Sequence, residues 1–305
     1  MRRPPALLRI FAAAGVLLLS ACGQSPGGSA GPETSDTSAA ISVVTSTNVY
    51  SDIVRTIGGD QVEVTPIITK ISQDPHSYEP TVRDRLAVSE ADLVVSNGGG
   101  YDPFLDTLTD SLGLGPAKII DAVEVSGENG SGSNEHIWYD MPSVAAVADL
   151  IASRLGDLDA ENAELFTENA ERFKADIGQI SDKLADVKST HAGEGAALTE
   201  PLPAYMLEAA GLVNRTPEDF LEAVEEGTDA PAGALKETVE LMSSDSVRLL
   251  AFNSQTSGPQ TESVREAADA AKLPVVEFSE TLPEGTTFVQ WMNENADNIA
   301  GALQS

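Results

Sequence analysis

Between residues 160 and 189, Phe166, Ala170, Phe173, Ile177, Ile180, Leu184 and Val187 recur at alternating spacings of four and three. This is the apolar stripe of one long amphipathic helix. At about 1.5 Å per residue it extends on the order of 45 Å, roughly the height of a two-lobed protein. A dimeric coiled-coil seam is the competing reading, although the repeat lasts little more than three heptads. On both sides of the stripe, short β-branched runs alternate with helical patterns. Strands are expected at 41–46, 62–68, 91–96 and 117–123, with helices at 48–57, 79–89 and 103–112 and another opening at Pro142. After the stripe, strands are expected at 196–199, 247–253 and 274–278, with helices at 204–210, 232–243, 262–272 and 287–303. Alternation of this kind predicts an α/β fold with mainly parallel sheets. The expected organisation is an N-terminal lobe over 41–158, a long rigid linking helix over 159–190 and a C-terminal lobe over 191–305. A ligand cleft should lie between the lobes, where strand C-terminal ends meet.

The first 40 residues have a different character. Arg2 and Arg3 precede an almost wholly apolar run over 7–21, which ends in Leu19-Ser20-Ala21-Cys22. That pattern reads as a signal peptide over 1–21. At 15 residues the run is too short to span a hydrocarbon core of about 30 Å, which takes about 20. The Gly, Ser, Pro, Thr and Ala of residues 23–40 lack apolar periodicity, so 22–40 reads as a flexible tether. Cys22 is the single cysteine, which excludes an internal disulfide. No later stretch reaches transmembrane length, so any transport has to use a separate membrane partner.

A formal charge of -30, from 48 acids against 18 bases, argues against nucleic acid or an anionic membrane surface as the main partner. Cations are the more natural cargo, although surface acid also serves solubility alone.

Only three histidines are present. His76 lies in the turn-forming Asp74-Pro75-His76-Ser77-Tyr78-Glu79-Pro80 between a strand and a helix. His136 lies in Asn134-Glu135-His136-Ile137-Trp138-Tyr139-Asp140, after a Gly/Ser/Asn loop and just before a helix. His191 follows the long helix and reads as a C-terminal helix residue favoured by the dipole. Taken singly, a loop histidine is more often solvated or capping than a ligand.

Leu-Ser-Ala-Cys resembles the lipobox of bacterial lipoproteins, which implies that Cys22 carries the lipid that anchors the chain to the cell membrane, outside the cytoplasm. The two histidine motifs, with a long helix between two α/β lobes, resemble the zinc- and manganese-binding solute receptors of bacterial ABC importers over residues 41–303. The resemblance implies a monomeric, non-enzymatic receptor that delivers its ion to a permease and its ATPase. It also implies that His76 and His136 bind the ion from the N-terminal lobe. In that family a third ligand, His or Glu, ends the first strand after the long helix, a place that Glu200 fits. The fourth, usually Asp, follows the last strand, where Glu280 stands; Glu277 is a competitor but falls within the strand. Two departures are visible. Glu135 replaces the Asp that often precedes the second histidine, and Asn253-Ser254 replaces a common Glu-Pro.

Two neutral imidazoles and two carboxylates neutralise a divalent ion, which makes its burial tolerable. Without a thiolate or thioether, the set suits Mn(II), Zn(II) or Fe(II), and Zn2+ and Mn2+ are the expected cargo. The loop over 125–135 lacks the histidine-rich insert of many zinc relatives, and with Glu in the third place this tilts the reading towards manganese. Competing readings are the same fold carrying a chelated cofactor or siderophore, a surface adhesin, and a zinc hydrolase. The hydrolase is disfavoured because four protein ligands close the metal's shell and no His-Glu-x-x-His or nucleophile motif is present. Aromatic residues, at 5%, offer little lining for a large organic ligand.

Overall fold

The structure, a computed structural model, describes residues 40–127 and 134–304. Cys22 with the leader and tether expected before residue 40, and most of the loop before Asn134, lie outside the described residues.

The N-terminal half builds β1 (Ile41–Thr47), α1 (Asn48–Gly58), β2 (Val62–Ile68), α2 (Val82–Glu90), β3 (Leu93–Ser96), α3 (Pro103–Leu112), β4 (Ile119–Asp121), α4 (Ala122–Ser126) and α5 (Met141–Leu158). Its strands form one parallel sheet in the order β2-β1-β3-β4. After α6 (Ala163–His191) come β5 (Gly195–Leu198), α7 (Ala204–Ala209), β6 (Val213–Asn214), α8 (Glu218–Glu225), α9 (Ala232–Leu241), β7 (Leu249–Asn253), α10 (Pro259–Ala271), β8 (Val275–Phe278) and α11 (Phe288–Ala302). These strands form a second parallel sheet, β6-β5-β7-β8, so each half places its first strand inside and its second at one edge. The central strands β1, β3, β5 and β7 are buried almost throughout. This explains why they read as short apolar or β-branched runs without a charged residue: a parallel sheet is covered by helices on both faces.

All seven stripe residues of α6 are buried, packed within this chain against α5, α1 and α11. One apolar cluster runs from Val43 and Ile53 in the first half through Phe173 and Ile180 to Leu198, Phe288 and Ile299 in the second. Smaller clusters cover the outer sheet faces, around Val44, Ile68 and Phe104 in the first half and around Phe220, Leu250 and Val264 in the second. Polar bonds also fasten α6 at both ends: Asn169 Nδ2 donates to the Ile57 carbonyl at 2.7 Å, and Lys183 Nζ reaches Asp297 at 2.6 Å.

Some element starts differ from expectation. The long helix begins at Ala163 rather than near 160, because Asp159 accepts from the Glu161 N–H at 3.2 Å and from Asn162 Nδ2 at 2.6 Å, holding a turn after α5. α2 begins at Val82 rather than 79, where Thr81 and Asp84 form a reciprocal capping box. Residues 211–231, for which no element was expected, supply β6 and α8. Among the described residues no helix is long and apolar enough to cross a membrane.

Candidate metal centre

The loops that follow the strand C-termini of both sheets face one cleft, the position expected for a ligand in parallel α/β sheets. Its volume is about 420 Å³, and its lining includes Asp74, His76, Glu200, Glu225, Thr256 and Glu280.

His76 is set in the loop after β2 by a local turn in which Asp74 accepts from the His76 N–H at 3.0 Å and from Ser77 Oγ at 2.6 Å. Its ring stands edge-on to Tyr101, with centroids 5.0 Å apart. Tyr101 reaches this place through Gly98-Gly99-Gly100, all at positive φ. A Cβ at Gly98 would come within 2.2 Å of the Asp121 carboxylate, so only glycine fits the turn. Asp102 then locks the turn by accepting the N–H groups of Asn97 and Gly98 at 2.7 and 2.8 Å.

His136 is 1% exposed. Its Nδ1 lies 2.7 Å from Asn134 Oδ1. A side-chain amide oxygen only accepts, so Nδ1 is the protonated nitrogen and Nε2 carries the lone pair. Burial, with His76 beside it, pushes His136 down to about 3, which keeps the ring neutral; burial also lowers His76. Both are therefore in the form that binds a metal.

Glu200 follows β5 and Glu280 follows β8, at 4% and 2% exposure. The side chain that joins them is Asn253, at the end of β7. Its Nδ2 donates to Glu200 Oε2, to Glu280 Oε1 at 2.9 Å and to Thr256 Oγ1 at 2.8 Å. Thr256 Oγ1 donates to Glu200 Oε1, and Tyr101 OH reaches Glu280 Oε2 at 3.3 Å. Asn253, which stands where an acid was the more familiar residue, thus supplies a donor between two carboxylates instead of a third charge. Gln255 fixes the Glu280 loop by accepting the N–H groups of Glu280 and Thr281, both at 3.1 Å.

Burial pushes the carboxyls up: Glu200 to about 8, against the opposing hydrogen bonds of Thr256 and Asn253, and Glu280 to about 7, helped by the charge of Asp74. Glu135, 3.6 Å from His76 Nδ1, is raised to about 7 by burial and by Asp102 and Glu280. Among the described residues lining the cleft there is no lysine or arginine to balance these groups.

Glu277 turns the other way: it is exposed and paired with Arg265 at 2.6 Å, because it alternates with the buried Val276 and Phe278. His191 sits at the end of α6, 3.3 Å from Glu194.

One acidic residue of the cleft escaped the sequence reading. Glu225, the last residue of α8, places Oε1 3.5 Å from His136 Nε2. One donor atom each from His76, His136 and Glu225 lie within 4.8 Å of one another. Burial, with the charges of Glu200, Glu135, Glu280 and Asp74, pushes Glu225 up to about 9. Pro217 followed by Glu218, Asp219 and the apolar Phe220, Leu221 and Val224 is a legible start of a short amphipathic helix. Nothing in the sequence separates Glu225 from its neighbours Glu222 and Glu226.

A two-lobed α/β scaffold on a helical spine, with imidazoles and uncompensated carboxyls meeting in its cleft, defines a receptor for a cation. The chain matches the ZnuA family, zinc-uptake complex component A periplasmic, over residues 43–302, and it belongs to that family. It is 30% identical over 181 residues to the manganese-binding lipoprotein MntA of Halalkalibacterium halodurans, a match spanning 57% of each chain. It is 23% identical to the manganese ABC transporter substrate-binding lipoprotein PsaA of Streptococcus pneumoniae serotype 4 across 99% of both. The periplasmic zinc-binding protein TroA of Treponema pallidum superposes with a TM-score of 0.70 at 20% identity, covering 86% of this chain and 98% of that one.

Proposed function

We propose that this chain is the solute-binding component of an ABC importer, that it captures Mn(II) or Zn(II) with His76 and His136 from one lobe and Glu200 and Glu280 from the other, and that it hands the ion to a permease powered by an ATPase. It is a binding protein and not an enzyme. The observation that carries the ligand reading is the charge balance of the cleft: buried carboxyls held well above their ordinary values, two neutral imidazoles beside them and, among the described residues of the lining, no lysine or arginine. A divalent ion supplies the missing charge, and its binding replaces the protons that the carboxyls otherwise retain. An acidic cleft of this kind suits a bare ion better than an organic chelate. The lobes over 41–158 and 191–305 then act as the two jaws on the 159–190 spine, and the chain works as a monomer. Cys22 anchors it by a lipid on the outer side of the cell membrane, with residues 23–40 as the tether.

Trp138 offers a direct readout, since its ring centroid lies 5.2 Å from that of His136. Titrating chelator-treated protein with Mn(II) or Zn(II) should change tryptophan fluorescence and raise the melting temperature at one ion per chain. His76→Ala and Glu280→Ala should each abolish that response at low micromolar metal. A wild-type protein that responds to neither ion, or a His76→Ala variant that responds like wild type, refutes the assignment.

A further inference from the structure

Glu225 lies in the cleft but outside the four-ligand set. We propose that Glu225 is a fifth metal-coordinating side chain, and that its oxygen shifts the balance of the site towards Mn(II) over Zn(II). The inference rests on the metal-receptor reading above and adds a residue and a selectivity to it.

The first ground is proximity. With Nδ1 of His136 donating to Asn134, Nε2 keeps its lone pair, and Glu225 Oε1 lies 3.5 Å from it. Two such atoms at that distance need a proton or a cation between them, and a metal ion can take that place with both donors already converged on it. His76 completes a triangle with all three donor atoms within 4.8 Å, a span that one ion at about 2.0–2.2 Å from each donor bridges after small adjustments.

The second ground is freedom. Glu200 and Glu280 have their oxygens occupied by Asn253, Thr256 and Tyr101. Glu225 accepts no hydrogen bond among the described residues, and its side chain is 22% exposed at the cleft mouth. Phe220, fully buried one turn back in α8, anchors the helix in the outer apolar cluster of its lobe, so the position of Glu225 is set by packing.

The chemical consequence follows from coordination number. Two imidazoles and two carboxylates already close a tetrahedral Zn(II) shell. Mn(II) favours more numerous, oxygen-rich donors. A third carboxylate therefore adds more to Mn(II) than to Zn(II), and it narrows the advantage that Zn(II) holds at a four-donor site.

The test compares mature wild-type protein with Glu225→Gln, Glu225→Ala and a Glu226→Ala control, each titrated with Mn(II) and, by chelator competition, with Zn(II). Glu226 is exposed beside the same cleft, so its removal reports loss of charge without loss of a donor. Both Glu225 variants should weaken Mn(II) by about tenfold or more and Zn(II) by clearly less, while Glu226→Ala shifts the two ions slightly and together. A cooperative thermal transition of metal-free Glu225→Gln at or above the wild-type melting temperature confirms that the fold is intact. Equal weakening of both ions, or no weakening of Mn(II), overturns the inference while leaving the four-ligand reading in place. Full metal binding by His76→Ala removes that reading, and the inference with it.

Discussion

Glu280→Gln separates the two opposing demands on the cleft, stability without the ion and affinity for it. In the metal-free protein Glu280 is 2% exposed and its carboxyl is raised from an ordinary 4.5 to about 7, first by burial and then by the charge of Asp74, with Asn253 and Tyr101 pulling the other way. That displacement corresponds to a penalty on the order of 3 kcal/mol once the group is fully ionised. Because the folded value lies above the unfolded one, the folded state holds more protons between pH 4.5 and about 7. Stability therefore falls as pH rises through that window, and the whole penalty is present above it. Glutamine keeps the shape, can still accept from Asn253 Nδ2 and carries no charge. Chelator-treated Glu280→Gln should match wild type near pH 4.5 and exceed it at pH 8 by up to about 3 kcal/mol, roughly 6 °C in Tm for a domain of this size. With excess Mn(II) or Zn(II) the order should invert, since wild type gains the free energy of binding and the variant lacks a proposed ligand. Thermal melts at the two pH values, with and without metal, decide the matter. A metal-free Glu280→Gln that melts below wild type at pH 8 refutes the argument, because the carboxylate would then be stabilising its own site.

Three further outcomes are expected. Glu200 and Glu225, held at about 8 and about 9, carry protons at pH 7, so metal binding should release roughly one to two protons per ion and tighten as pH rises from 6 to 8; calorimetry in buffers of different ionisation enthalpy measures this. Asn253→Leu removes the amide that bridges the two buried carboxyls and should weaken metal binding by about 10–100-fold with the fold retained, read by competition titration beside circular dichroism. Phe173→Ala opens the core under α6, where Phe173 is 1% exposed and stacks near Phe288 at 5.9 Å. It should cost about 3–5 kcal/mol, a fall in Tm on the order of 10 °C, while metal affinity stays unchanged.

The fold was legible because its signals are local and redundant. The central parallel strands, covered on both faces, carry no charged residue, and α6 shows its buried face at every turn. What went unread was short and acidic: α8 has eight residues, too few for its periodicity to stand out. The two histidines of the cleft were legible because the residue is rare here and both sit at element edges. Glu200 and Glu280 could not be chosen from 48 acids by pattern, and only the resemblance pointed to them. Glu225 was out of reach by either route, since its place beside His136 depends on how α8 packs in three dimensions. The bridging of two carboxyls by Asn253 was hidden for the same reason. Its substitution for an acid was visible, but the direction of its amide is a property of the assembled loops.

Those loops also constrain how the protein can register its ion. Asn48 of the first lobe both donates to and accepts from the backbone of Leu282, at 2.8 and 3.0 Å, and Asp52 accepts the Phe288 N–H at 2.7 Å. Tyr139 OH donates to the Ser279 carbonyl at 2.8 Å, and Asn134 Nδ2 to that of Pro201 at 2.9 Å. Leu282 and Ser279 flank Glu280, and Pro201 follows Glu200, so the two C-lobe carboxylate loops are each tied to the opposite lobe. A wide hinge motion would have to break all of these bonds and shear the apolar core that runs through α6 into both halves. Packed cores resist continuous deformation. Loop ends do not, and an ion held as proposed by Glu200 and Glu280 would change the charge at the ends of β5 and β8 where the interlobe bonds are made. If the ion binds as proposed, the difference between loaded and empty receptor is expected at the rim of the cleft rather than in a wide hinge motion.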